Sequence, residues 1–99
     1  MTVADRDGLA GDGFGGALAS RPVKRSFSIR GHRTSISLEA AFWDALVEIA
    51  GQRNLPLVQV VAGIDEARGD SGLSGAVRIF ILAHYQRLAR SVVTEDAQV

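Results

Sequence analysis

At Glu39 the hydrophobic period of this chain changes, and no other feature constrains the fold as much. Before it, residues 24–30 (KRSFSIR) alternate, with Phe27 and Ile29 on one face and Ser26, Ser28 and Arg30 on the other. Residues 33–38 (RTSISL) alternate again, with Thr34, Ile36 and Leu38 opposite Arg33, Ser35 and Ser37. After Glu39, the residues Phe42, Trp43, Leu46, Val47, Ile49 and Ala50 recur at steps of three and four. A period of two requires a half-buried strand, and a period near 3.6 requires an amphipathic helix. The chain is therefore predicted to be mainly α with a short N-terminal β-strand or hairpin, turning at Gly31-His32, followed by a helix over 39–53 whose positive end suits Glu39.

Two more helices follow. Pro56 fits the first position of one, with Leu57, Val60, Val61, Ile64 and Ala67 as its apolar stripe and Gly69 as its end. Ser71 or Ser74 caps the other, which turns Val77, Phe80, Ile81, His84 and Leu88 inward and leaves Arg78, Arg87 and Arg90 to solvent. Residues 91–99 are expected to fray as a flexible C-terminal tail. At the other end, five of the eleven glycines fall within the first sixteen residues, among Asp5, Asp7 and Asp12. This composition predicts a disordered arm over 1–22, so the folded domain is expected over 23–90. Gly11, Gly13 and Gly16 have the spacing G-x-G-x-x-G, but no strand precedes them and no helix follows, so the dinucleotide reading fails on context.

A folded unit near seventy residues buries only about 60% of its unfolded surface and usually needs a disulfide, a metal or a partner chain. Cysteine is absent, and His32 and His84 are the only imidazoles, too few for a closed zinc site; no metal and no cofactor are expected. Oligomerisation is the remaining means of stabilisation. No stretch approaches the roughly 18 apolar residues of a membrane span, and the acidic N-terminus does not read as a signal peptide, so a cytoplasmic location is expected.

The formal net charge of zero conceals unlike segments. Residues 21–34 carry Arg21, Lys24, Arg25, Arg30 and Arg33 with no carboxylate, whereas 39–70 have a net charge of −4. Such asymmetry belongs to a polyanion-facing surface or to a solvated basic loop. A strand with a polar outer face and an uncovered edge gains a partner if two such strands pair about a two-fold axis, and the resulting ribbon fits the DNA major groove.

The runs KRSFSIRGHRTSISLEAAFWDAL and LSGAVRIFILAHYQ resemble a group of short bacterial ribbon-helix-helix DNA-binding proteins, over about residues 23–87. That resemblance implies a ribbon-helix-helix dimer with an additional helix, residues 56–69 being inserted between the family's two. It also implies a homodimeric transcriptional regulator that binds double-stranded DNA. Carried over by residue, Arg33, Ser35 and Ser37 face the bases, while Ile36, Leu38, Phe42, Trp43, Leu46 and Phe80 form the dimer core. Arg33 can give two hydrogen bonds to guanine O6 and N7, whereas serine hydroxyls discriminate less. Lys24, Arg25 and Arg30 are expected to contact phosphates. So is Ser74, as the cap of a helix N-terminus, because Pro56 has no N–H to offer. Whether 24–30 or 33–38 is the DNA-facing ribbon, or whether they form one hairpin, stays open on sequence.

The alternative is a protein-interaction module or antitoxin-like protein, for which the acidic stretch 65–70 (DEARGD) is the best feature beside its plainer reading as a solvated helix end. An enzyme is not expected: Ser and His are present, but no motif joins them, and a short helical chain offers little room for a pocket. His84 reads most simply as a core-edge imidazole, His32 as a turn residue.

Overall fold

A computed structural model describes the backbone of residues 21–98 and the side chains up to Val92. The glycine-rich segment 1–20 therefore lies outside the described residues, as do the side chains of most of the 91–99 segment.

Two strands, β1 (Val23–Ile29) and β2 (His32–Leu38), pair antiparallel within one chain. The strand partner that a lone ribbon strand would need is thus supplied by the preceding segment. Arg30 and Gly31 connect them, with φ of 51° and 80°. Two successive left-handed residues are what a tight two-residue hairpin turn requires, because that backbone twist matches the strands. The turn consequently sits one residue earlier than Gly31-His32, and His32 opens β2 opposite Ile29.

Cross-strand partners share a face of the pleat. Ile29, Ile36 and Leu38 are buried on the inner face, with Phe27 packed against them. Helix α1 (Ala40–Gln52) starts where the Glu39 carbonyl accepts the N–H groups of Phe42 and Trp43, at 2.9 and 3.1 Å. It buries Trp43, Leu46, Ile49 and Ala50. It ends in a left-handed Asn54 (φ 56°), with the Asn54 N–H on the Gly51 carbonyl and the Leu55 N–H on the Ala50 carbonyl, a paired closure that satisfies the last turn.

Pro56 then occupies the cap of α2 (Leu57–Ala67) rather than its first helical position. Its carbonyl takes the N–H groups of Gln59 and Val60, and the donor that proline lacks is one a helix start leaves without an intrahelical partner in any case. Val60, Val61 and Ile64 are buried, and Gly69 (φ 63°) follows the helix end.

The last helix, α3 (Leu73–Gln98), begins on the Gly72 carbonyl, which accepts the Ala76 N–H at 2.9 Å. Neither Ser71 nor Ser74 is the cap. Its backbone runs well past Arg90. Val77, Ile81 and His84 are buried, but Leu88 is exposed, the helix having by then passed the end of α1.

Helices α1 and α3 are joined by Arg78 to Glu39 at 2.9 Å, by the Tyr85 hydroxyl to Glu48, and by His84 to Gln52 at 2.9 Å. Ile36, Leu38, Trp43 and Leu46 are therefore fully buried inside a single chain, while Phe42 and Phe80 are only half-buried. Among the described residues no helix is long and apolar enough to cross a membrane.

Candidate nucleic-acid interface

The outer face of the hairpin follows from its register. Lys24 stands opposite Ser37, Ser26 opposite Ser35, and Ser28 opposite Arg33. All six are exposed, and none is acidic. Seven residues at about 3.3 Å rise make each strand roughly 20 Å long, and two strands lie about 4.8 Å apart. A ribbon of those dimensions is narrow enough for a major groove about 12 Å wide. The Ser26 and Ser35 hydroxyls are 2.9 Å apart and hydrogen-bond each other across the strands, fixing their rotamers while leaving further donor and acceptor capacity.

The inner face holds this ribbon in place. Trp43 donates its indole N–H to the Val23 carbonyl at 2.8 Å, and its ring centroid lies 5.9 Å from that of Phe27. At the base of the hairpin, the hydrogen bond from Arg78 keeps the Glu39 carboxyl below its ordinary pKa, so it stays ionised and paired rather than repelling a polyanion.

The candidates for base contact, Arg33, Ser35 and Ser37, thus lie on one exposed surface together with Lys24. The other candidates for phosphate contact do not join them. Arg25 belongs by register to the inner face, opposite Ile36, and its guanidinium lies 5.0 Å from the Trp43 ring centroid. Arg30 occupies the turn and pairs with Asp65 of α2 at 3.2 Å. Ser74 is half-buried, in the first turn of α3.

Ser26 and Ser28 are part of the same face and were not among the sequence candidates. Their alternation with Phe27 and Ile29 already marked them as outward-facing, and what was missing was the intrachain pairing that sets them beside Ser35 and Arg33. Asp65 was equally invisible as a partner of Arg30, since 35 positions separate them. Among the described residues, no group of three or more His, Cys, Asp or Glu side chains is placed to hold a metal ion.

No curated protein and no solved structure matches this chain. A family model described as a ribbon-helix-helix domain matches residues 22–85, a span that includes both strands, α1, α2 and the first half of α3. With that match over most of its length, and with a hairpin followed by helices, the chain belongs to the ribbon-helix-helix domain family.

Proposed function

We propose that the protein is a homodimeric, sequence-specific DNA-binding regulator of transcription that places the outer face of its hairpin in the major groove. The observation that carries this reading is the outer face itself, six side chains of which two are cationic, four are hydroxyls and none is acidic. Arg33 reads guanine through two hydrogen bonds, and Ser35 and Ser37, joined by Ser26 and Ser28, contact neighbouring base edges. Lys24 holds a phosphate, which adds sequence-independent, salt-sensitive attraction, whereas Arg30 is held by Asp65. Arg25, turned over Trp43, and Ser74, inside α3 rather than at its cap, have no part in this reading.

The homodimer is supported by apolar surface that the described residues of one chain leave exposed. On α3, Ile79 and Leu82 are 69% and 57% exposed. Ile64, Ala67, Ala76, Ile79 and Phe80 contribute to a concavity of about 290 Å³ between α2 and α3. A cysteine-free domain of this size gains stability by covering such a surface with a second copy.

The reading as a protein-interaction module finds less support, because Asp65 of the acidic 65–70 stretch is taken up by Arg30 and Arg68, at 3.2 and 2.7 Å. The experiment that tests the proposal is fluorescence-anisotropy titration against the chain's own upstream DNA and a random pool, from about 50 to 200 mM salt. The expected result is tight binding to one DNA that persists across the series. Weak binding that disappears with salt on every sequence would overturn it.

A further inference from the structure

At the C-terminal end of α1, where α3 passes it, Arg53, His84, Arg87, Leu88, Arg90 and Ser91 line an open concavity of about 430 Å³. Three arginines are among the lining residues, and no carboxylate is. Among the described residues, none of the three takes part in an ion pair, whereas Arg30, Arg68 and Arg78 each do. Positions three and four beyond Arg87 and Arg90 are Arg90, Ser91, Val93 and Thr94, so the helix repeat supplies no acid to either.

Arg53 is held in place by the fold. Its guanidinium lies 4.9 Å from the Phe80 ring centroid, and its Nη2 is 3.4 Å from His84 Nδ1. His84 Nε2 is 2.9 Å from the Gln52 Oε1, an acceptor, which places the ring proton on Nε2 and leaves Nδ1 as the acceptor facing Arg53. The imidazole lies below its ordinary pKa, first through burial and then through Arg53 and Arg87, with Glu48 on α1 acting the other way. Unneutralised positive charge concentrated in a concavity is complementary to an anion with several oxygens, and guanidinium groups match phosphate in forked geometry.

We infer that Arg53, Arg87 and Arg90 form a second anion site, separate from the hairpin, that binds phosphoryl groups. Its source is either a free phosphorylated ligand or a backbone phosphate of DNA held outside the groove. The site does not depend on base reading by Arg33, and its test includes an arm without DNA.

The probe is sodium pyrophosphate, titrated into the full chain at constant ionic strength while the His84 ring resonances are followed by NMR, with His32 as the internal control. The expected result is a saturating shift at His84 that is absent at His32. In the double variant Arg87→Gln, Arg90→Gln, both positions being exposed, the amide spectrum should stay native-like while pyrophosphate affinity falls about tenfold or more. The DNA arm compares salt dependence for the two proteins. A slope reduced by about one per lost phosphate contact identifies DNA as the source, and an unchanged slope with lost pyrophosphate binding identifies a free ligand. If the double variant alters neither pyrophosphate binding nor the salt slope, the site does not exist, whatever Arg33→Ala does to DNA recognition.

Discussion

The indole N–H of Trp43 donates to the Val23 carbonyl across 20 positions of sequence, at 2.8 Å, and this bond ties the open end of the hairpin to α1. Trp43 is 1% exposed, lies against Phe27 and carries Arg25 over its ring. One side chain therefore fills the core and fixes the orientation of the ribbon's outer face.

Replacing it separates those roles. Trp43→Ala should cost about 3–5 kcal/mol, the usual range for deleting a fully buried aromatic side chain, and should leave little folded protein. Trp43→Phe keeps a ring but leaves the Val23 carbonyl without its donor, and should cost about 1–3 kcal/mol. Urea denaturation followed by circular dichroism measures both, and an unchanged midpoint for Trp43→Phe would mean that the indole N–H contributes nothing.

Gly31 has φ of 80°, and a Cβ built there meets nothing within 4 Å. Gly31→Ala should therefore destabilise the hairpin through backbone conformation alone, by about 1–2 kcal/mol, with no steric component. Chemical denaturation of this variant tests the turn geometry, and an unchanged midpoint would show that the turn is made elsewhere.

Arg33→Ala should weaken binding at the preferred DNA site by about 1–3 kcal/mol and relax sequence choice at one base pair. Lys24→Ala should weaken all DNA alike and lower the salt slope by about one. Uniform loss across sequences for Arg33→Ala would remove its role in base reading. The two side chains share one exposed face, so a difference in kind between the variants cannot be ascribed to misfolding.

Unfolding of the wild-type protein should depend on its concentration, because folding and association are linked in a dimer. Leu82→Glu puts a charge on the exposed apolar surface of α3 without touching the core, and should yield a monomer in sedimentation equilibrium. A wild-type midpoint independent of concentration would argue against a dimer.

Acid should destabilise the fold in two windows. His84 is held below its ordinary 6.5, mainly by burial, so the unfolded chain binds a proton there more readily. Its contribution is complete above pH 6.5 and is lost as the pH falls from there through the folded value. Glu39, held below its ordinary 4.5 by Arg78, contributes above pH 4.5 and loses that contribution as the pH falls through its own folded value. His84→Gln should flatten the upper window of a pH–stability profile and leave the lower one unchanged.

Much of this molecule was legible from periodicity. The outward-facing serines and Arg33 follow from a period of two, and the buried set Trp43, Leu46 and Ile49 from helical steps. Those patterns depend only on local backbone geometry, which each segment states for itself. The pairing of β1 with β2, which adds Ser26 and Ser28 to the candidate interface, depends on an intrachain register that alternation in either strand alone does not encode. Arg25 shares the parity of Phe27 and Ile29, so alternation already sets its face, and only the packing of α1 under the hairpin puts its guanidinium over the Trp43 ring. The helix caps were missed at Pro56 and Gly72 because a backbone carbonyl can begin a helix without a side-chain cap. The sequence by itself determined the order and type of the elements and the polarity of each face. The tertiary structure decided which charges are neutralised, as Arg30 is by Asp65, and which line one concavity with no acid among the described lining residues, as Arg53, Arg87 and Arg90 do, because electrostatic partnership depends on distance in space.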